Sequence, residues 1–139
     1  MPSPRSPMPS PRPKLRRKNK LLRVQGRSMA PALNPGELVL VRDGEYRLRE
    51  PRLGEIVAAR PAGLGGRALL KRIAALPNTR VALEGREWRL GAEQFFLLGD
   101  HAEQSIDSRI FGPVARQELL GPVWARLWPW TVFRSPSPS

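Results

Sequence analysis

Hydrophobic positions in this chain fall in short runs, continuous or alternating with polar residues, and Gly, Pro and Asn separate one run from the next. Runs of this length and spacing predict β-strands rather than helices. The predicted strands cover residues 21–24, 38–41, 56–59, 69–75, 79–83, 87–90, 95–98 and 123–127. The pattern therefore predicts a mostly β protein, built as an antiparallel sheet or a barrel-like domain.

A turn and one helical segment complete the predicted elements. Residues 84–86 (Glu-Gly-Arg) separate two alternating segments, and Gly85 can take the positive φ that a tight hairpin turn needs. Residues 115–120 carry the only pattern that suggests a helix. Little helix is therefore expected.

The two ends of the chain differ from its body in composition. Residues 1–13 alternate proline with serine and arginine, and residues 135–139 repeat serine and proline, so both have almost nothing to bury. We expect a disordered arm at 1–20, one folded domain at 21–134 and a disordered tail at 135–139. The length of 139 residues and the 40% hydrophobic content suffice for one modest core.

Positive charge is concentrated in the arm. The net charge is +12, and the first twenty residues contain seven basic residues and no acidic one. Such an arm favours contact with polyanions, either nucleic acid or anionic lipid. A solvated arm without a specific nucleic-acid partner is the simpler interpretation, and the one we expect.

Cysteine and histidine counts exclude several kinds of chemistry. The chain has no cysteine and a single histidine, His101, which excludes disulfides, a cysteine nucleophile and multi-histidine metal clusters. Neither a metal nor a cofactor is predicted. The longest apolar runs, such as 95–98, are far shorter than the roughly 20 residues of a membrane helix or the roughly 7–15 of a secretion signal. The predicted location is the cytoplasm, with no transmembrane segment.

Lys71 is the only lysine after residue 20, where the sixteen other basic residues are arginines. Arginine stays protonated, whereas the pKa of lysine falls readily on desolvation, so a lysine can act as a general base. Lys71 stands in the apolar run 68–73. An arginine-rich composition would also explain a single remaining lysine, and the other motifs decide between the two interpretations.

Ser28 supplies the matching nucleophile. It lies in Arg27-Ser28-Met29-Ala30-Pro31, between a predicted strand and a turn, where backbone amides can face a ligand. A serine hydroxyl is a weak nucleophile until a base takes its proton, and Ser/Lys pairs are one known solution. A third segment, 98–109, carries hydroxyls, carboxylates and an arginine directly after a predicted strand.

These segments resemble, in their order and spacing, the type I signal peptidase family of serine proteases. The motifs are Ser28-Met29-Ala30-Pro31, Lys71-Arg72, Gly99-Asp100 and Ser105-Ile106-Asp107-Ser108-Arg109. The resemblance extends from Val24 to about Trp128 and implies the family's β-rich catalytic domain.

The resemblance also implies roles for particular residues. Ser28 is expected to be the nucleophile and Lys71 the general base. Ser105 is expected to hydrogen-bond the lysine amine and orient it, because a hydroxyl holds a neutral amine without restoring its proton. Asp107 and Arg109 are expected to form a supporting ion pair.

Two residues depart from the family pattern. Gly26 stands two positions before the nucleophile, where some members have a serine, so the oxyanion hole would depend mainly on the Ser28 backbone amide. His101 stands where the family usually has asparagine, and we expect it to bond local backbone rather than act as the base. An extended substrate is expected beside Gly26, Met29, Ala68, Leu69 and Leu70.

A membrane anchor usually precedes the nucleophile in this family, whereas this chain has a polar arm there. The short body and the segment 121–129 resemble soluble nickel-type superoxide dismutase maturation proteases. The expected function is thus a serine endopeptidase that removes an N-terminal prosequence from a precursor protein, a nickel-type superoxide dismutase. Alternatives are processing of exported preproteins at the membrane surface, an autoproteolytic repressor and a basic nucleic-acid-binding protein. The oligomeric state stays open.

Aromatic residues cluster near the C-terminus, at Trp124, Trp128, Trp130 and Phe133. We expect them to cover the barrel as an ordinary strand does. Aromatics at a bilayer interface would show the same cluster, so peripheral membrane contact is the alternative.

Overall fold

Antiparallel strands make up most of the regular structure in the computed structural model, which describes residues 18–128, 130–133 and 136. The mostly β fold class is confirmed. One short helix, α1 (Ser108–Phe111), accompanies 3-10 turns at Glu45–Arg47, Ala102–Gln104 and Arg116–Glu118. The strands are β1 (Lys18–Arg23), β2 (Leu38–Asp43), β3 (Ile56–Ala59), β4 (Leu69–Ala75), β5 (Arg80–Leu83), β6 (Arg86–Arg89), β7 (Gln94–Leu98), β8 (Val114–Ala115), β9 (Leu119–Leu127) and β10 (Trp130–Val132).

Strand β9 joins the two halves of the main sheet. That sheet has eight strands, in the order β1-β2-β9-β3-β4-β7-β8, and β10 pairs with β9 beside this path. The first part of β9 pairs with β3 and the later part with β2, and register shifts mark both pairings. Such bulges bend and twist a strand, which lets one strand serve both halves. The remaining strands, β5 and β6, form a separate hairpin.

Strand β3 separates two hydrophobic clusters. Its four side chains are all buried, and successive side chains of a strand point to opposite faces. Ile56 and Ala58 belong to one cluster, with Met29 and Leu33, whereas Val57 and Ala59 belong to the other. Burial on both faces accounts for the uninterrupted apolar run of this strand.

Most of the expected strands are present, with small differences at their ends. The predicted hairpin turn is confirmed, since Glu84 and Gly85 both have positive φ between β5 and β6. The helix expected at 115–120 is wrong, because the segment holds a 3-10 turn and then enters β9, which pairs with β3. The strand expected to begin at Leu21 begins at Lys18.

The arm and tail predicted from composition fall mostly outside the described residues. Three residues of the arm, 18–20, lie in β1, where they pair with β2. Pro136 is the described residue of the tail. No helix in the described part of the chain is long and apolar enough to cross a membrane.

The C-terminal aromatic residues divide into two groups. Trp124 donates from Nε1 to Asn19 Oδ1 at 3.0 Å, and Phe133 packs against the cluster that contains Met29. These two cover the sheet as expected. Trp128 and Trp130, by contrast, are 81% and 60% exposed, so the expectation that the aromatics cover the barrel is wrong for them.

Candidate active site

Ser28 lies in a compact turn whose neighbours are anchored in the core. The turn is closed by hydrogen bonds from Val24 N–H to the Glu37 carbonyl at 2.7 Å and from Gly36 N–H to the Val24 carbonyl at 2.9 Å. Leu33 N–H donates to the Met29 carbonyl at 2.9 Å, and both side chains are buried. Burial of Met29 therefore fixes the backbone on one side of Ser28.

Lys71 on β4 reaches the serine hydroxyl across the site. Its Nζ lies 2.8 Å from Ser28 Oγ, with the amine donating. Both residues are buried, Ser28 at 9% exposure and Lys71 at 4%. The two residue types that the sequence predicted as a catalytic pair are thus in direct contact.

The surroundings of Lys71 favour its neutral form. Burial is the largest influence and lowers the pKa of the amine below its ordinary value. The Asp107 carboxylate raises the pKa, and the Arg109 guanidinium lowers it. Arg109 forms an ion pair with Asp107, so its positive charge partly offsets the negative charge that favours protonated Lys71. The pKa of Lys71 therefore remains below its ordinary value.

Asp107 organises the loop that follows β7. Its carboxylate is fully buried and accepts five hydrogen bonds, from the Gly99 and Arg109 backbone N–H groups, the Ser105 hydroxyl and two guanidinium nitrogens of Arg109. Burial alone would raise the pKa of Asp107, but these donors hold it below its ordinary value. The Asp107–Arg109 ion pair expected from the sequence is present, at 2.6 Å.

Ser105 does not make the contact expected of it. Its hydroxyl donates to Asp107 Oδ2 at 2.8 Å, and within the described residues the Lys71 amine bonds Ser28 alone. The expectation that Ser105 hydrogen-bonds Lys71 is therefore wrong in this structure. The physical reason is that a carboxylate two residues away is the stronger acceptor and lies within reach of the hydroxyl.

The same loop also holds the backbone of Ser28. His101 N–H donates to the Ser28 carbonyl at 2.8 Å. A Cβ on Gly99 would lie 2.2 Å from Ser105 Oγ and 2.8 Å from the Ser28 carbonyl oxygen, so this close approach requires glycine. His101 makes this contact through its backbone, whereas its imidazole Nδ1 is buried without a hydrogen-bond partner among the described residues, so the expected bond to local backbone is not seen for the side chain.

A cleft of about 320 Å³ opens at the Ser28–Lys71 pair. It contains four of the five residues predicted to contact substrate: Met29, Ala68, Leu69 and Leu70. Gly26 is not among its lining residues and instead turns the chain with a φ of 72°. The residues missed by the sequence prediction are Leu22, Arg23, Val24, Gln25 and Arg67. Three of them lie in the predicted strand 21–24 and the other two lie near predicted strands, and only the tertiary arrangement shows which strand edges face the cleft.

Both walls of the cleft are strand edges with unused backbone groups. Strand β1 is the first strand of the sheet order and, among the described strands, pairs with β2 alone. Strand β4 pairs with β7 only from Arg72 onward. Residues 69–71 therefore pair with β3 on one side and with no described strand on the other. Within the described residues, an extended peptide could therefore add to either edge beside Ser28.

A larger cavity, of about 540 Å³, lies elsewhere. Arg42, Gly54 and Trp124 are among its lining residues, and neither Ser28 nor Lys71 is. The smaller cleft is the better candidate site because it holds the predicted nucleophile and the predicted base together.

A buried serine in contact with a lysine of lowered pKa, at the end of an open strand cleft, has the geometry of a serine hydrolase with a lysine base. Residues 18–88 and 84–128 match the family described as signal peptidase, peptidase S26. The chain belongs to this family, which confirms the family predicted from the sequence motifs.

Several curated relatives agree with this assignment. A probable signal peptidase I-2 of Synechocystis sp. is 30% identical over 134 residues, covering 76% of this chain and 62% of the relative. The mitochondrial inner membrane protease subunit 2 of Mus musculus is 34% identical over 115 residues, covering 77% and 66%. A mitochondrial ATP-independent inner membrane protease subunit 1a of Arabidopsis thaliana is 31% identical, covering 81% and 72%. The chain thus spans 62% of the length of the first of these relatives.

Proposed function

We propose that this protein is a serine endopeptidase with a Ser28–Lys71 dyad. The observation that carries the proposal is the buried 2.8 Å contact between Lys71 Nζ and Ser28 Oγ. When the amine is neutral, its lone pair accepts the hydroxyl proton as Oγ attacks the carbonyl carbon of a peptide. The lowered pKa of Lys71 supports this role, since it increases the neutral fraction near neutral pH.

The remaining steps use the same two side chains. The ammonium of Lys71 returns its proton to the leaving amine as the C–N bond breaks, which leaves an ester on Ser28 Oγ. A water molecule then attacks the ester, the neutral amine takes the water's proton, and the released hydroxyl regains it. The Ser28 backbone N–H makes no hydrogen bond to the described residues, and in this mechanism it stabilises the oxyanion.

The substrate binds as an added strand in this proposal. Edges of β1 and β4 flank the cleft, and main-chain hydrogen bonds to them would hold an extended segment with its carbonyl carbon at Ser28. An extended prosequence suits this binding mode, because a folded domain has no unpaired strand that could hydrogen-bond to both edges. Leu22 and Leu70 lie in the cleft and would contact the substrate side chains.

The proposed substrate is the N-terminal prosequence of a nickel-type superoxide dismutase precursor. The support is the resemblance of segment 121–129 to the maturation proteases of that enzyme. Exported preproteins are the second candidate class, favoured by the match to relatives named signal peptidase I. Family membership favours both over a nucleic-acid-binding or repressor function.

The test is to incubate the purified protein with the superoxide dismutase precursor and sequence any new N-terminus. The Ser28→Ala and Lys71→Met variants should leave the precursor intact. Lys18→Met is the matched control for the lysine, because Lys18 is exposed on β1, and it should cleave as the wild type does. Cleavage of an exported preprotein but not of this precursor would reject the proposed substrate and leave the proposed dyad standing. Cleavage at the normal rate by Lys71→Met would reject the dyad.

Truncation separates the peptidase from the nucleic-acid-binding interpretation. Deleting residues 1–17 removes most of the basic arm but leaves β1 complete. Cleavage should survive this deletion, whereas polyanion binding that falls with salt should be lost. Loss of cleavage with retained folding would place the arm in the catalytic function.

Peripheral membrane contact is proposed for the end of the β9–β10 pair. Trp128, Trp130 and Val132 are all more than half exposed there, and aromatic residues with a basic arm favour an anionic bilayer surface. The Trp128→Ser, Trp130→Ser double variant should sediment less with phosphatidylserine-containing vesicles than the wild type. Leu48→Ser, an exposed apolar residue elsewhere, is the control. Equal sedimentation of the double variant and the wild type would reject this contact.

A further inference from the structure

The cleft beside Ser28 carries positive charge without a balancing acid. Arg23 and Arg67 both line it, together with Lys71, and no aspartate or glutamate is among the described residues that line it. Both arginines are exposed. Because the active form of Lys71 is neutral in the proposed mechanism, the two arginines are the permanent charges of this cleft.

Neither arginine is paired with a carboxylate in the described part of the chain. Arg23 donates to the Gly36 carbonyl at 3.2 Å, and the Arg67 side chain makes no hydrogen bond or ion pair there. Elsewhere the protein commonly neutralises its arginines, as with Arg49 and Glu55 or Arg72 and Asp100. The two cleft arginines thus keep their charge available to a ligand.

Their positions place this charge next to the bond that would be cut. Arg23 is the last residue of β1, and Arg67 stands two residues before β4, so one arginine lies on each wall of the cleft. An extended substrate advances about 3.3 Å per residue. Side chains within a few residues of the cleaved bond would therefore pass these guanidinium groups.

We propose that Arg23 and Arg67 select substrates with aspartate or glutamate close to the cleaved bond. This inference rests on the proposed peptidase function and adds its side-chain preference. An arginine fork binds a carboxylate through paired hydrogen bonds, which a neutral amide side chain cannot match. The ligand chemistry is an acidic peptide segment bound in extended form.

The experiment has two stages and uses the full chain. First, the wild type is incubated with quenched decapeptides of randomised sequence, and the products are sequenced to find the preferred residues. Next, the best peptide is made in three forms that differ only by Glu, Gln or Lys at the preferred acidic position. The readout is the ratio of kcat/KM for the Glu and Gln forms, which a general loss of folding does not change.

For the wild type, kcat/KM for the Glu peptide should be about two- to fivefold higher than for the Gln peptide, which is the range for a partly solvated ion pair. This ratio should fall with added salt. In the Arg23→Gln, Arg67→Gln double variant the ratio should fall to about one, and Arg67→Glu should favour the Lys peptide. The matched control is Arg89→Gln, an exposed arginine on β6 outside the cleft, which should keep the wild-type ratio.

Three outcomes would overturn the inference. The first is a set of products without enrichment of acidic residues near the cleaved bond. The second is a Glu to Gln ratio of kcat/KM that is unchanged in the Arg23→Gln, Arg67→Gln double variant. Either result would leave the peptidase function intact. Absence of cleavage of every peptide, with Ser28→Ala indistinguishable from the wild type, would overturn the peptidase function and this inference with it.

Discussion

Replacing Asp107 by asparagine should destabilise the fold by about 2–4 kcal/mol. The asparagine amide can present only one oxygen, whereas the carboxylate uses both, accepting five hydrogen bonds. If the oxygen stays near Arg109, the new NH2 group faces the Gly99 N–H and an Arg109 N–H, while the Ser105 hydroxyl can rotate to accept. The Gly99 N–H and one Arg109 N–H then lose their acceptor. Each loss lowers the free energy of unfolding by about 1–3 kcal/mol, and by less where water can reach the donor.

Urea unfolding at neutral pH, followed by tryptophan fluorescence, measures this loss as a change in the free energy of unfolding. Asp100→Asn is the matched control in the same loop. Asp100 pairs with Arg72 at 2.7 Å but near the surface, and exposed ion pairs contribute only about 0.2–1 kcal/mol. The catalytic rate should fall only in the Asp107 variant, because the Asp107 carboxylate holds the Gly99 N–H and the Ser105 hydroxyl against the Ser28 carbonyl, whereas the Asp100 side chain bonds Arg72.

The pH dependence gives a second measurement of the same effect. The pKa of Asp107 is lowered in the folded protein from its ordinary value of 3.8, so its contribution is complete above that pH. It is lost as the pH falls through the lower, folded pKa. The stability difference between wild type and Asp107→Asn should therefore narrow below pH 3.8. A difference at pH 7 no larger than that of Asp100→Asn would refute the reasoning.

Two other sites give independent predictions. Gly121→Ala should lower the free energy of unfolding by about 1–3 kcal/mol or more, because the new Cβ would lie 2.0 Å from the Arg42 carbonyl oxygen. Gly91→Ala is the control: its Cβ would make only ordinary contacts, so the same urea titration should show little change. The wild-type cleavage rate should rise with pH and reach half its maximum below pH 10.5, because the neutral Lys71 amine is the active form in the proposed mechanism; a rate that does not change with pH would contradict this. Lys71→Met should be at least as stable as the wild type at pH 7, and its advantage should shrink as the pH rises towards 10.5, since the wild type gains stability once the buried amine is neutral.

Strand positions could be predicted from the sequence because their cause is local. Buried strands such as β3 need continuous apolar residues, and a hairpin such as 84–85 needs a residue that takes positive φ, so both leave a direct pattern. The helical pattern at 115–120 was misleading because pairing with β3 overrides weak helix propensity. The single turn of α1 is capped by Asp107, and such a short element leaves no periodicity to detect.

The site was predictable in its residue types but not in its contacts. Ser28 and Lys71 could be selected because few side chains offer a nucleophile and a base that can lose its proton. The partner of Ser105 depends on which acceptor lies nearest after folding, and the sequence places Asp107 only two residues away without showing its orientation. Arg23 and Arg67 could not be selected from sixteen arginines in the body, because only the facing strand edges distinguish them.

Strand β9 has a consequence for how the protein folds. It is among the last described elements of the chain, yet it supplies the partner of both β2 and β3. Pairings between distant segments form slowly, because the long intervening loop must be closed first. We therefore expect the turn that carries Ser28 to stay unanchored until β9 has been synthesised and docked. On this basis, the proposed proteolytic activity would appear only after the ribosome has made nearly the whole domain.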